Sequence, residues 1–266
     1  MDIETYQVDS FTNQAFKGNP AGVCITHTSL DSKLMLSIAD EMAVSETAFL
    51  NLDSMNLKWF TPRLEVKLCG HGTLAVAHIL REKGLVKVGE TLSFDTLSGE
   101  LQVHVREDDF EMDFPAPLMN YDVSWDNKKL DALGLDESQV LAYGSFDGKE
   151  LIQVQDERTL RSLEPNFEEL SRLQGRGILV TALAESSELD FVSRYFAPWV
   201  GVNEDPVTGS AHCALAVHWQ QSFQRTKLRG YQASRRGGYV NVELKSNGRV
   251  SLVGAAVTTL KGTLVV

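Results

Sequence analysis

Hydrophobic and polar positions alternate with period two over much of this chain, and two apolar runs with helical spacing stand apart from that pattern. Residues 6–8 and 21–26 read as strands, separated by the turn composition Lys17-Gly18-Asn19-Pro20. Asp31 or Ser32 caps a helix whose apolar residues Leu34, Leu36, Ile38, Ala39 and Met42 mostly follow helical spacing. Residues 44–50 leave that helix into a strand, and 57–61 form another, stopped by Pro62. A helix over 73–83 ends at Gly84. Residues 92–94, 101–105 and 110–114 alternate and read as antiparallel strands, with turns at Ser98-Gly99 and Asp108-Asp109. Pro115-Ala116-Pro117 interrupts the pattern and marks a domain boundary.

The same order then returns. Short helices are expected near 127–134, 156–163 and 166–174, the last capped by Asn166 and stopped by Gly175. Strands are expected at 140–144, 149–155, 177–183 and 189–196, a helix over 210–222, and strands at 227–235, 238–245, 249–255 and 256–264. Turns fall at Arg236-Gly237-Gly238 and Asn247-Gly248. Each half thus reads as strands, a glycine-initiated helix and a meander, an internal duplication at about half the chain length. The two helices follow Cys69-Gly70-His71-Gly72-Thr73 and Glu204-Asp205-Pro206-Val207-Thr208-Gly209-Ser210-Ala211-His212, each preceded by an aromatic-x-Pro segment, Phe60-Thr61-Pro62 and Phe196-Ala197-Pro198. A gap-free match of those segments sets Asp205 opposite Cys69, whereas matching Gly70 to Gly209 requires a three-residue shift.

Composition narrows the function. A net charge of −11 excludes the basic footprint that nucleic acid requires. No apolar run reaches the length of a membrane span, and the N-terminus has no secretory pattern. Three widely spaced cysteines favour reduced thiols in a cytoplasmic setting over a disulfide framework. Neither CxxC nor HExxH spacing occurs, so no structural zinc site is expected.

Helix N-termini carry partial positive charge and unpaired N–H groups, and glycine lets a ligand approach closely. Two such starts, one per half, are suited to holding a small anionic metabolite in a cleft; two ordinary glycine turns fit the same residues. Neither motif is a nucleotide fingerprint. Glu46, between an amphipathic helix and an apolar strand, is a candidate acid/base if burial raises its pKa toward neutrality, and a solvated strand end otherwise. Cys69 at a helix start is a candidate thiolate base. A two-thiol racemase needs a second cysteine, however, and the repeat supplies Asp205, Pro206 or Thr208 in that place. His71 fits either a substrate contact or a packed turn residue. His212, His78 and His218 fit structural roles better, and Cys24 and Cys213 fit packing.

Together Asn19-Pro20-Ala21-Gly22-Val23-Cys24, Ser45-Glu46-Thr47-Ala48-Phe49 and the two glycine motifs resemble the PhzF family of phenazine-biosynthesis-like isomerases. The resemblance implies an α+β, diaminopimelate-epimerase-like fold of two pseudo-symmetric halves, each a curled, mostly antiparallel sheet around a central helix. The halves would be 1–115 with a returning strand at 256–266, and 116–255. It implies Glu46 as the acid/base, His71 and Asp205 as substrate contacts, and Gly70, Gly72, Gly209 and Ser210 as anion-binding groups. No metal or organic cofactor is used in the family, and members are often homodimers. An isomerase is therefore expected. An epimerase using Cys69, and a non-catalytic metabolite-binding protein of the same fold, are the alternatives.

Overall fold

The computed structural model describes residues 1–266. In chain order its elements begin with β1 (Asp2–Ser10), β2 (Asn19–Thr26), α1 (Ser32–Met42), β3 (Glu46–Asn51), β4 (Asn56–Phe60), β5 (Glu65–Val66), α2 (Gly70–Glu82), β6 (Thr91–Thr96), β7 (Gly99–Val105) and β8 (Phe110–Pro115). They continue with α3 (Asn127–Leu133), β9 (Val140–Phe146), β10 (Lys149–Val154), α4 (Glu157–Arg161), α5 (Phe167–Arg172), β11 (Ile178–Leu183), β12 (Phe191–Ala197) and β13 (Val202–Glu204). The last are α6 (Gly209–Phe223), β14 (Lys227–Gln232), β15 (Gly238–Leu244), β16 (Arg249–Gly254) and β17 (Ala256–Val265). Two compact units result: Met1–Asp113 with Leu252–Val266, and Phe114–Ser251.

The strand pairings make the duplication explicit. In the first unit β1 pairs antiparallel with β2, β2 parallel with β3, β3 antiparallel with β4, and β4 touches β6 in parallel at Asn56↔Asp95 before the antiparallel β6–β7 hairpin. In the second unit β9, β10, β11, β12, β14 and β15 follow one another with the same sequence of antiparallel and parallel pairings. The short strands β5 and β13, which the sequence pattern does not reveal, fold back on β4 and β12 at matching places. The final strand, β17, pairs with β1 from Asp2↔Val265 to Ser10↔Ala256. This is an α+β fold of two topologically equivalent halves.

Each parallel pairing needs a crossover, and helices provide it. Asp31, not Ser32, caps α1: its Oδ1 accepts from the N–H of Lys33 (2.9 Å) and Leu34 (3.0 Å). Met35, Ile38 and Ala39 of α1 pack with Ile3, Cys24 and Phe49 on one face of the first sheet. Between β10 and β11, α4 and α5 cover a core that includes Leu160, Leu170, Ile178, Val180 and Phe196. Asn166 caps α5 as expected, but the helix ends at Arg172, short of Gly175, with Leu173 already extended.

The central helices are buried differently from α1. Residues 71–77, Ile79 and Leu80 of α2 are all buried, consistent with a helix packed on several sides. Its neighbours are β1, β2, β3, β7 and β17, so the first sheet curls around it. In the second unit α6 packs on β14 and β15 and buries every residue from Ala211 to Trp219 except Val217. Both helices start earlier than their apolar runs suggest, α2 at Gly70 rather than 73 and α6 at Gly209 rather than 210. Glycine scores as a breaker inside a helix, but in the first turn it loses little. The equal starts decide the alignment: Cys69 and Thr208 are the two N-cap residues.

Candidate active site

In the first unit the end of α1, the start of β3 and the start of α2 bring four side chains together. Ala43, in the left-handed conformation, ends α1 and directs the chain through Ser45 to Glu46, the first residue of β3. Glu46 is half-buried, with 23% of its side chain exposed. Its Oε2 lies 3.3 Å from Nε2 of His71, the second residue of α2, whose side chain is only 9% exposed. Ser45 Oγ is 3.5 Å from the same nitrogen. The other ring nitrogen, Nδ1, is 3.5 Å from Cys69 Sγ. With the proton on Nε2, the imidazole can donate to Ser45 Oγ, lies beside the Glu46 carboxylate and presents Nδ1 to the thiol.

The surrounding contacts hold this arrangement. Ser10 Oγ donates to the His71 carbonyl (2.7 Å), and Thr73 Oγ1 to the Cys69 carbonyl (2.7 Å). Cys69 Sγ accepts from the Gly72 N–H at 3.4 Å, so the thiol acts as the N-cap. That amide is thereby engaged within the protein. Gly72 has a steric role besides: a Cβ there would lie 2.9 Å from Trp59 Cδ1 and 3.0 Å from Cys69 Sγ.

The second unit has a different set at its helix start. Thr208 makes no side-chain cap bond; its hydroxyl donates to Asp205 Oδ2 instead. Gln232, on β14, locks the loop by accepting from the Thr208 N–H (2.9 Å) and donating to the Asp205 carbonyl (2.7 Å). Lys149, the first residue of β10, donates to Ser210 Oγ at 2.9 Å. Burial lowers the Lys149 pKa, as does nearby Arg176, against the opposing pull of Asp147, Cys213 and Asp205. His212 is wholly buried, with Nδ1 2.9 Å from the Thr208 carbonyl, and burial pushes its pKa down to about 4.

Of the sequence candidates, Glu46, Cys69 and His71 meet in one cluster, while Asp205, Gly209 and Ser210 belong to the second unit's helix start. Lys149 and Gln232 carry no local sequence signal; strand pairing alone brings them to the motif. His218 is structural, set between Tyr121 Oη (2.9 Å) and Gln153 Oε1 (3.0 Å), with its pKa lowered by burial to about 4. All three cysteines are buried thiols without a disulfide. No helix is long and apolar enough to cross a membrane.

The family model for phenazine biosynthesis-like proteins, PhzC-PhzF, matches residues 8–262. The chain belongs to the PhzF family. It is 46% identical over 266 residues to an uncharacterized isomerase of Halalkalibacterium halodurans, with 99% of each chain covered. The crystal structure of a PhzF-family phenazine biosynthesis protein from Enterococcus faecalis matches with a TM-score of 0.92 and 37% identity, covering 100% of both chains. A predicted epimerase from Pseudomonas aeruginosa, 19% identical over 99% of each chain, shares the fold with a TM-score of 0.77. By this membership the chain is an isomerase.

Proposed function

We propose that this isomerase moves a proton on a small carboxylate-bearing metabolite by general acid/base catalysis, with Glu46 taking the proton from carbon and returning it elsewhere. The Glu46–His71 contact of 3.3 Å carries this reading, because it sets a half-buried carboxylate beside an imidazole nitrogen that can become its donor when substrate binds. The donor stabilises the carboxylate before abstraction and steadies the carboxyl group as it hands the proton back. The family relatives named isomerases support the reaction class. His71, Asp205, Gly70, Gly209 and Ser210 are proposed as substrate-holding groups, with Asp205 suited to an amino group and the glycine turns to a carboxylate or hydroxyl. A cyclic amino carboxylate with an acidic C–H satisfies these requirements.

The test follows solvent-derived deuterium entering anthranilate-like carboxylates. Glu46→Gln should lower exchange by about 10²–10⁴-fold, the usual contribution of a positioned acid/base. Exchange at the wild-type rate in this variant removes Glu46 as the base.

One observation favours a second reading, a Cys69-dependent epimerase: the thiol sits at a helix N-terminus, 3.5 Å from His71 Nδ1. Its counterpart at the second helix start is Thr208, whose hydroxyl is far too weak an acid to replace a thiol. The epimerase reading requires Cys69→Ser to lose all turnover; turnover surviving in that variant removes it.

A further inference from the structure

Glu46, Cys69 and His71 offer one oxygen, one sulfur and one nitrogen that all lie within 4.8 Å of one another. Tetrahedral zinc with ordinary bond lengths sets its ligand atoms about 3.3 Å apart for nitrogen and oxygen, and about 3.6 Å apart for sulfur and nitrogen. The observed separations are 3.3 Å from His71 Nε2 to Glu46 Oε2 and 3.9 Å from His71 Nε2 to Cys69 Sγ. The Glu46 oxygen and Cys69 sulfur also lie within 4.8 Å, and binding requires the thiol to leave the Gly72 N–H and turn toward both partners. The His71 main chain is fixed by Ser10, and Ser45 Oγ lies 3.5 Å from the imidazole nitrogen. Thiolate and imidazole disfavour magnesium and calcium, which prefer oxygen ligands, and suit zinc. Three protein ligands also leave the fourth position open to water. Spacing along the chain cannot show this set, because the oxygen comes from β3 and the other two ligands from the start of α2.

We propose that Glu46, Cys69 and His71 bind one Zn²⁺, and that the ion reversibly inhibits the isomerase. On binding, the thiol proton leaves to solvent as the sulfur–zinc bond forms, and the imidazole proton passes from Nε2 to Nδ1 so that the Nε2 lone pair faces the ion. The ion then binds one Glu46 oxygen and the His71 nitrogen, and its positive charge makes the remaining carboxylate oxygen a much poorer base for a substrate proton. Inhibition rests on the acid/base assignment of Glu46; binding does not.

Metal-stripped, full-length protein is titrated with Co²⁺, whose thiolate-to-metal absorption reports coordination by sulfur. One equivalent should produce that band together with the visible bands of a tetrahedral site, and Zn²⁺ should displace the cobalt. Cys69→Ser should abolish the thiolate band, and Glu46→Gln and His71→Asn should each weaken Co²⁺ binding at least tenfold. No thiolate band in the wild type, or a band that survives in Cys69→Ser, overturns the site. Glu46→Gln is isosteric, so it decides the matter if Cys69→Ser does not fold: unchanged affinity overturns the site. Zinc should also suppress deuterium exchange, with full recovery on adding EDTA. Zinc-loaded protein that exchanges at full rate overturns the inhibition. A Glu46→Gln protein that loses metal affinity but exchanges at the wild-type rate supports the metal site and sinks the acid/base reading instead.

Discussion

At the start of α2 the cap is a thiol, and it does cap: Cys69 Sγ accepts from the Gly72 N–H. At the start of α6 the same place is held by Thr208, the better capping residue by type, and it makes no side-chain cap bond. Its hydroxyl goes to Asp205, and Gln232 takes its N–H. The strands that feed the two helices differ in the same way. β3 begins with the half-buried Glu46; β11, the strand in the equivalent place, begins with the fully buried Ile178. On the proposed reading, the first half moves the proton, and the carboxylate and lysine of the second orient a charged ligand. A duplicated scaffold kept its strand pairings while the residues at the helix starts diverged. The cap bond itself is worth only about 1 kcal/mol, so changing what it does costs the fold little.

The largest effect should separate the two starts by kinetics. Glu46→Gln should cut kcat by about 10²–10⁴-fold with little change in KM. Asp205→Asn producing the same kcat loss with KM unchanged would break the division of labour. Next in size, the scaffold should respond alike in both halves. Leu74→Ala in α2 and Leu215→Ala in α6 should each cost about 2–5 kcal/mol in denaturant unfolding, since both leucines are fully buried. A mild effect at one helix alone would show that its sheet collapses onto the space.

Acid should then weigh more heavily on the second half, since burial lowers the pKa of His78 on α2 as well but by less. His212 and His218 both lie on α6, and burial lowers each pKa from 6.5 to about 4. The unfolded chain binds these protons first, so the stability present above about pH 6.5 drains away as pH falls toward 4. At full extent that is about 3 kcal/mol for each histidine. Urea titrations across this window should show the loss, and His218→Gln should flatten the slope. The smallest effect belongs to substrate holding. Asp205→Asn should raise KM about 10- to 100-fold, the scale of one hydrogen bond to a charged group, with the smaller change in kcat.

Much of the fold was legible along the chain because each strand or helix repeats its own period. The cap at Asn166 and the paired glycine helices could be read directly, and the cap of α1 was narrowed to Asp31 or Ser32. β5 and β13 could not, since strands of two or three residues have no period to detect. The end of α5 was missed for a related reason: Gly175 is a stronger local stop than Leu173, but the chain had already turned extended. In the site, Glu46, His71 and Asp205 stood out by motif. Lys149 did not, because a lysine after an Asp-Gly turn looks solvated until β10 brings it to Ser210.

The sequence by itself determined the strand and helix periods, the duplication and the family, because those reside in local spacing and in motifs read along one chain. Tertiary structure decided that Cys69 and Thr208 are counterparts, that His71 meets Glu46 and Cys69, and that Gln232 and Lys149 serve the second helix start. Those contacts join residues from separate elements, and only strand register and helix packing fix which distant side chains come within a hydrogen bond of each other.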